Sequence, residues 1–487
     1  MGANGTILGN ARRLLGSRSA QLLLALAYLG VKVTSPWNPL PISSGDGETW
    51  AGIAKRPLFS SEFWLAKRPF TLPLLYKIAG GSEPRLIWFQ LMLGLGSWLL
   101  LADALGRLAP SPPLAVLVFA LTLLLALTTN VHAWDIVIRS ESLGLSLIVL
   151  SLAALLRFLI ETGSSRRRWV WVGLSVVTGA LATFARETNG YLLPLLAVLV
   201  LVARWPLRAR TTRVNADWQA VVLATGLVLA SLACQANTRA SKRFDFPLMN
   251  VIFVRVLPNR ARLAYFEQAL AMPVTPRLVA RGGALPPWHS AAFVRAQDTR
   301  RLREWIWEDG YRGYQRYLLS HFPDTAREAF RSFGLAATES MTQVAPSATR
   351  AARHARNVVS PIADRVWLKN PAARRPYASW VGLFVLALAG LLSRKASARL
   401  PALALLTLLF ASGTQAYICL HADAMEVARH SLVVGLLLRL AWLPGAVLVL
   451  LGASWALAWV RHRAAVKSPN TPGKLSQSEA VPDTRHR

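Results

Sequence analysis

Residues 400–419 read LPALALLTLLFASGTQAYIC, a run of 20 residues in which no charged side chain occurs. A helix rises about 1.5 Å per residue, so this run is long enough to cross the roughly 30 Å hydrocarbon core of a bilayer. Similar apolar runs lie at about 20–33, 85–106, 113–130, 142–160, 169–184, 190–203, 217–235, 378–393 and 430–461. Because Arg439 and Pro444 interrupt the last run, it can form one kinked span or two. The sequence therefore predicts an all-α polytopic integral membrane protein with ten or eleven transmembrane helices.

The composition agrees with a membrane protein and carries a large excess of basic residues. Of the 487 residues, 53% are hydrophobic and 16% are charged, and 55 Lys and Arg against 24 Asp and Glu give a net charge of +31. In a membrane protein this excess predicts contact with anionic lipids, and no nucleic-acid motif occurs. The only two cysteines, Cys234 and Cys419, lie at the ends of apolar runs, so neither a disulfide framework nor a cysteine-based metal site is predicted.

The basic residues of the short loops determine the predicted orientation. Arg12, Arg13 and Arg18 precede the first apolar run, and no small-residue cleavage site follows it, so we expect a retained first helix that starts in the cytoplasm. The remaining arginine-rich short loops alternate consistently with that start. The opposite side receives the loops at about 37–83, 131–141, 185–189, 237–376 and 420–429. We expect this side to be the active face, outside the cytoplasm, of a bacterial inner (plasma) membrane protein.

The chain is expected to divide into four parts. These are an N-terminal transmembrane module with extracytoplasmic catalytic loops (1–236), an extracytoplasmic, partly interfacial loop domain (237–376), C-terminal transmembrane helices (377–461) and a disordered tail (462–487). In the long loop, aromatic side chains such as Trp305, Tyr314 and Tyr317 alternate with arginines, a mixture that is typical of an interfacial helix. The tail is rich in Ser, Pro and charge and has no periodicity.

The loop after the first helix reads SGDGETW at 44–50 and carries two closely spaced carboxylates. At a membrane surface Asp46 can act as a general base on an acceptor hydroxyl, and Glu48 can share a divalent cation with it. An ordinary Gly/Asp turn explains the same residues. Metal ligands are not assigned, and a divalent cation stays open as a cofactor.

Three further loops on the same side carry candidate substrate-binding residues. They read HAWDIVIRSE at 132–141, ARETNG at 185–190 and HADAMEVARH at 421–430. Their arginines can hold a phosphate through two parallel hydrogen bonds. A helix cap at Ser140 with a first-turn acid at Glu141 explains that pair equally well, and a mutual salt bridge explains Arg186 and Glu187. The candidates are Arg139, Glu141, Arg186, Glu187, Arg429 and His430.

Taken together, these loops resemble those of the GT-C superfamily, which are membrane glycosyltransferases that use polyprenyl-phosphate sugars. The resemblance is carried by GDGE after the first helix, RPFTLPLLY at 68–76, RSESL at 139–143 and ARETNGY at 185–191. In ARHSL at 428–432, His430 stands where the superfamily usually has an aromatic residue. The resemblance covers the first 200 residues and the last helices, and the long middle loop has no counterpart in it.

The resemblance implies an inverting transfer from a polyprenyl-phosphate-linked sugar donor to a glycan or glycolipid acceptor. Asp46 would deprotonate the acceptor hydroxyl, and Glu48 would orient the acceptor or a metal ion. Arg139, Arg186 and Arg429 would stabilise the departing lipid phosphate. No Walker-type phosphate loop or dinucleotide fingerprint occurs, which fits an energy source held in the lipid-linked donor.

Two other classes of function stay open. The first is a transporter or flippase for a lipid-linked or anionic solute, which would favour intramembrane charges and internal repeats. Apart from Arg439 and Asp103 the helix centres carry almost no charge, and no repeat is evident. The second is a non-catalytic membrane assembly protein whose basic segment binds anionic lipid. It would tolerate the loss of Asp46.

Overall fold

The computed structural model describes residues 18–34, 46–161, 164–207, 214–288, 290–338, 358–370, 374–393, 395–422, 424, 427 and 431–466. Within these residues the regular structure is helical and contains no strand. Two compact units are present, Met1–Leu448 and Val449–Arg487. The predicted boundaries at 236, 376 and 461 stay predictions.

Each apolar run corresponds to one long helix among the described residues. The ten helices are α1 (Arg18–Thr34), α2 (Glu83–Gly106), α3 (Pro112–Ala126), α4 (Ser140–Ile160), α5 (Ser165–Ala185), α6 (Leu192–Leu207), α7 (Val214–Ala240), α8 (Pro376–Leu392), α9 (Ala396–Ala422) and α10 (Leu432–Val466). The last run forms one helix with Pro444 inside it. It extends to Val466, into the predicted tail, and residues 467–487 lie outside the described part of the chain.

Six of the described helices are long and apolar enough to cross a membrane, namely α2, α4, α5, α7, α9 and α10. A seventh crossing arises if α3 and Thr129–Asp135, which are bent by 57°, form one broken span. Two shorter apolar helices are Glu187–Ala203 and Pro376–Leu392. Leu22 and Leu23 of α1 are more than half exposed, as expected for side chains that face lipid. The chain is thus an α-helical polytopic membrane protein.

Helix α4 lies at the centre of the N-terminal bundle and packs between α2 and α5. It is apolar on all sides and almost completely buried, as expected for a helix surrounded by other helices. Small residues allow α5 to pack closely against its neighbours. Ser151 of α4, for example, donates a hydrogen bond to the Ser175 carbonyl of α5 at 3.0 Å. At Gly226 of α7, an added Cβ would lie 2.8 Å from Val176 of α5, so only glycine fits this contact.

The segment between α7 and α8, which we call the middle segment, has a hydrophobic core of its own. Its helices are Asp245–Val251, Ile252–Val256 (a π-helix), Arg260–Leu270, Pro276–Val279, Ala291–Arg295, Gln297–Trp305, Ile306–Gly310 (a π-helix), Tyr311–Ser320, Phe322–Thr338 and Ser360–Trp367. The aromatic side chains of Trp305, Tyr314 and Tyr317 are buried in this core, against residues such as Phe253 and Phe266. These three aromatic residues are the ones whose pattern predicts an interfacial helix, but in the structure their side chains pack inside the core. Interfacial contact of the whole segment stays a prediction.

Arg439 is a buried cation in the N-terminal part of α10. Its guanidinium donates hydrogen bonds to the carbonyl oxygens of Trp367 at 3.0 Å and Ala337 at 3.4 Å. These carbonyls lie at the C-terminal ends of Phe322–Thr338 and Ser360–Trp367, where helix dipoles favour a positive charge. Arg439 therefore has a structural explanation that needs no transported solute.

Candidate active site

The described candidate residues Glu141, Arg186 and Glu187 lie where α4 begins and where α5 and α7 end, and we call this region the loop-rich end of the bundle. The first loop lies there because it has a small hydrophobic core. Ile53, Phe63 and Phe70 are buried in this core, and Phe184 of α5 packs against it. The rings of Phe70 and Phe184 are 4.5 Å apart between centroids. The loop is thereby seated on the last turn of α5, immediately before Arg186.

Asp46 and Glu48 lie in the first turn of the helix Asp46–Ala54 within this loop. The helix is held by Trp50 and Ile53, which are both almost completely buried. The side chains of Asp46 and Glu48 lie outside the described part of the chain, and so do Arg429 and His430. The roles assigned to these four residues therefore stay predictions.

Tyr76 belongs to the RPFTLPLLY stretch, at the end of the helix Thr71–Ile78. Burial, reinforced by the negative charge of Glu83, raises the pKa of Tyr76 to about 12. Its hydroxyl therefore keeps its proton near neutral pH, and it can donate a hydrogen bond but cannot serve as a general base.

Glu141 and Arg186 come together at the loop-rich end. The Nη1 atom of Arg186 lies 3.8 Å from Oε1 of Glu141, and both residues are more than nine-tenths buried. Ser140 donates a hydrogen bond to Oε2 of Glu141 at 3.0 Å. Arg139, which directly precedes α4, is buried to the same degree. Two buried arginines and one carboxylate therefore lie at the beginning of α4 and the end of α5. Ionisable groups at a membrane boundary commonly serve a function.

Glu187 is paired differently from its neighbour. Its Oε1 atom accepts hydrogen bonds from Arg243 and, at 3.2 Å, from Thr238 of α7. Arg243 also bonds Asn237, and it donates to the Ala66 carbonyl of the first loop at 3.2 Å. The mutual salt bridge between Arg186 and Glu187, which the sequence left open, does not form. Glu187 instead links α5, α7 and the first loop.

Sequence reasoning did not identify Lys32 as part of this end of the bundle. Its ammonium group forms an ion pair with Asp135 of the second loop, and both side chains are buried. The Nδ1 atom of His132 lies 3.1 Å from the same carboxylate oxygen of Asp135. The available signal was a lysine inside an otherwise apolar helix, because such a charge needs a partner.

Several buried polar atoms of Arg186, of the residues that follow it and of α9 have no hydrogen-bond partner among the described residues. They are Arg186 Nη2, Thr188 Oγ1, Asn189 Oδ1 and Gln415 Oε1. The other amide atom of Asn189 donates to the Ala182 carbonyl at 3.1 Å, so its acceptor oxygen alone is unused. Gln415 contacts Cys419, and Cys419 lies within the electrostatic reach of Arg186. Unpaired buried groups of this kind are rare in native proteins and call for an explanation.

The middle segment is joined to the end of α9 through a polar contact. His421 Nε2 lies 3.0 Å from the Thr325 carbonyl oxygen, and the Tyr314 hydroxyl donates to the His421 carbonyl at 2.9 Å. Nearby, Glu328 pairs with Arg255 and Arg262. Both the ring and the backbone of His421 therefore have protein partners in this junction.

The two arginines that share Glu328 respond differently to it. Burial lowers the pKa of Arg255, and the charge of Glu328 opposes this effect only in part. Burial acts in the same direction on Arg262, but the hydrogen bond and the charge of Glu328 outweigh it, so the pKa of Arg262 is raised. Arg262 is therefore the stronger partner of this carboxylate.

No group of three or more His, Cys, Asp or Glu side chains in the described part of the chain is placed to hold a metal ion. This statement does not extend to Asp46 and Glu48, whose side chains belong to the undescribed positions. Carboxylate oxygens are the ligands that Mg²⁺ and Ca²⁺ prefer, so these two acids have suitable chemistry for a divalent cation.

No family model matches the chain, and no curated protein matches it. Among solved structures it is similar to the crystal structure of the Archaeoglobus fulgidus oligosaccharyltransferase in the apo form, with 11% identity and a TM-score of 0.41 over 93% of this chain and 52% of that one. It is also similar to the archaeal oligosaccharyltransferase AglB from Archaeoglobus fulgidus in complex with an inhibitory peptide and a dolichol-phosphate, with 13% identity and a TM-score of 0.41 over 94% and 52%. This chain spans about half the length of those structures.

Proposed function

We propose that the protein is a membrane glycosyltransferase that transfers a sugar from a polyprenyl-phosphate donor to a lipid- or glycan-linked acceptor. The observation that carries this proposal is the buried pair of Arg186 and Glu141. Among the described residues the Nη2 amino group of Arg186 has no hydrogen-bond partner, and the core of the first loop packs against Phe184 in the last turn of α5. A cation at the membrane boundary with a spare donor suits an anionic group attached to a lipid.

In the proposed reaction Asp46 is the general base. It takes the proton of the acceptor hydroxyl while the hydroxyl oxygen forms a bond to the anomeric carbon of the donor sugar. The bond between this carbon and the phosphate oxygen breaks on the opposite face, so the configuration inverts. The electron pair of that bond stays on the lipid phosphate, which leaves as an anion.

Charge on the departing phosphate is the quantity that the basic residues would stabilise. Arg186 and Arg139 are buried, and fixed positive charges act more strongly in a site of low dielectric than in water. Arg429 and His430, which precede α10 in the sequence, are further residues that we propose to contact the phosphate. Glu48 would orient the acceptor, and a divalent cation bound with Asp46 would add further positive charge.

The unpaired polar atoms of Arg186, Thr188, Asn189 and Gln415 are compatible in their chemistry with a sugar phosphate as ligand. Asn189 Oδ1 and Gln415 Oε1 are acceptors, and Arg186 Nη2 and Thr188 Oγ1 are donors. A sugar phosphate presents both hydroxyl donors and oxygen acceptors, so its chemistry matches that of these unpaired groups. Glu187 has its own partners in Arg243 and Thr238, so within this proposal it positions Arg186 through the adjoining backbone.

We place the reaction at the extracytoplasmic face of a bacterial inner membrane. The loop-rich end is the side that the arginine pattern of the short loops assigns away from the cytoplasm. Lipid-linked donors are the energy source available there, because the sugar arrives already activated on its lipid. Anionic lipids would surround the basic loops.

The first experiment compares the glycolipids and glycans of cells that lack the protein with those of complemented cells, by mass spectrometry. We expect the wild type to restore a missing sugar, whereas Asp46→Asn at matched expression leaves the lipid-linked donor accumulating. Asp324→Asn is the matched control, because Asp324 is an exposed acid in the middle segment. It should behave as the wild type does.

The same profiles separate the competing functions. Equal restoration by wild type and Asp46→Asn would show that Asp46 is a turn residue, and it would favour transport or assembly. If the protein is a flippase, cells that lack it should accumulate the donor or product on the cytoplasmic face of the membrane. Protection of the accumulated lipid from a membrane-impermeant oxidant would reveal that location.

A further inference from the structure

The helix Phe322–Thr338 has two exposed faces of opposite character. Its inner face, formed by Thr325, Ala329 and Phe333, is buried and packs against α9 and α8. Next to it, Phe322 and Phe330 are more than half exposed, and Ala326 between them is half-buried. These three residues are spaced four apart, so they form one strip along the helix. We call them the Phe322–Phe330 strip.

The polar face lies on the other side of this strip. Asp324 and Arg327 form an exposed ion pair at 2.9 Å, and Arg331 is exposed one turn further on. The helix therefore has an apolar sector that is wider than the surface covered by α8 and α9. Its uncovered edge is the Phe322–Phe330 strip. A wide apolar sector opposite basic residues is typical of helices that lie in a membrane interface.

Contacts with two tyrosines determine the position of the helix Phe322–Thr338 along the axes of α8 and α9. Tyr377 is the second residue of α8, and its ring is 5.0 Å from that of Phe330. Its hydroxyl accepts from the Gly334 N–H at 3.0 Å and donates to the Arg331 carbonyl at 2.6 Å. Tyr417, near the end of α9, lies 5.9 Å from Phe322. The helix therefore lies level with the first turn of α8 and the last turns of α9.

The surface next to Phe330 continues into the lipid-facing surface of α8. Val381 and Val385 lie one and two turns beyond Tyr377, and about half of each side chain is exposed. In an apolar helix such exposed valines face hydrocarbon. Tyrosines at both contact points agree with this level, because Tyr is enriched at the boundary between hydrocarbon and head groups.

We infer that the helix Phe322–Thr338 lies in the head-group region of the bilayer on the loop-rich side. The Phe322–Phe330 strip then contacts the acyl boundary, and Arg327 and Arg331 contact anionic head groups. This assigns the interfacial element of the middle segment to a different helix from the one that the aromatic pattern indicated. The inference stands independently of the proposed glycosyl transfer.

The test uses the full-length protein in vesicles that contain phosphatidylglycerol. Cys234 and Cys419 are buried and are replaced by Ala, and single cysteines are introduced as Phe330→Cys or, as the control on the polar face, Asp324→Cys. Each is labelled with a solvent-sensitive fluorophore. We expect nitroxide-labelled lipids to quench the label at position 330 several-fold more than the label at 324. Aqueous iodide should show the reverse order.

Two outcomes would overturn the inference. Stronger iodide quenching at position 330 than at 324 would mean that the strip faces water. A label at 330 that neither quencher reaches would mean that protein, such as a second copy of this chain, covers the strip. Because both positions are exposed, neither substitution should disturb folding, and a thermal unfolding scan of each variant checks this.

Discussion

The ammonium group of Lys32 contacts the carboxylate of Asp135 inside the helix bundle, where both side chains are buried. The two residues are 103 positions apart, and His132 contacts the same carboxylate. Lys32 lies near the end of α1, which leads into the loop with Asp46, and Asp135 lies four residues before Arg139. The pair thus joins the two loops that the proposed reaction needs.

Removing one member of this pair should be much more harmful than removing both. Lys32→Met leaves the Asp135 carboxylate buried without its cation, and we expect a loss of about 3–5 kcal/mol of stability. The double variant Lys32→Met, Asp135→Leu should recover most of this loss, because no charge remains buried. Thermal unfolding of the purified variants in detergent measures both effects.

An exposed pair is the control for this experiment. Asp324 and Arg327 are largely solvent-exposed, so Arg327→Ala should change stability by only about 0–1 kcal/mol. If the double variant at Lys32 and Asp135 lost as much stability as the two single variants combined, the coupling between these residues would be refuted.

Arg186 should be sensitive even to a substitution that keeps its charge. Lysine has a single point of contact and cannot present the two parallel N–H groups of a guanidinium to a phosphate. We expect Arg186→Lys to lower the transfer rate by roughly 10²-fold, on the scale of removing one donor to a developing anion. The measurement is the initial rate of sugar transfer by reconstituted protein with a polyprenyl-phosphate-linked donor. An unchanged rate would remove Arg186 from the phosphate site.

Glu187 and Arg243 should behave as a structural pair. Glu187→Gln weakens a charge-assisted contact, so we expect a lower unfolding temperature and a smaller yield of folded protein. The exchange Glu187→Arg, Arg243→Glu should recover part of the stability and part of the transfer activity. Full stability with abolished activity in Glu187→Gln would instead mark Glu187 as a substrate ligand.

Gln415 provides a test of the unpaired atoms. A buried acceptor without a partner costs about 1–3 kcal/mol, so Gln415→Leu should leave the unfolding temperature unchanged or raise it. If Gln415 Oε1 accepts a hydrogen bond from a hydroxyl of the donor sugar, Gln415→Leu should lower the transfer rate at least tenfold at low concentrations of the sugar donor. Thr407→Val, at a buried threonine of the same helix that bonds its own backbone, is the control and should retain activity. Normal kinetics in Gln415→Leu would contradict a role in donor binding.

The positions of the long helices followed from the sequence because hydropathy is a local property, and six or seven spans among the described residues are long and apolar enough to cross a membrane. A run such as 142–160 must be helical inside a membrane, since its backbone groups have no water to bond. The same physics identified Arg139, Glu141 and Arg186, because charges beside an apolar run need a reason to be there. Their proximity in space was expected from the alternation of loops, and Glu141 and Arg186 do meet.

Only the tertiary structure decided which charges pair. Glu187 bonds Arg243, 56 residues away, and not the adjacent Arg186, while Lys32 finds Asp135 across 103 residues. It also decided that Trp305 and Tyr314 point into a core and that Phe330 is exposed. Hydropathy indicates which side chains favour burial, and the charge pattern indicates which side chains require an oppositely charged partner when they are buried. The identity of the partner depends on which helices pack together and at what height, and distant parts of the chain determine that jointly.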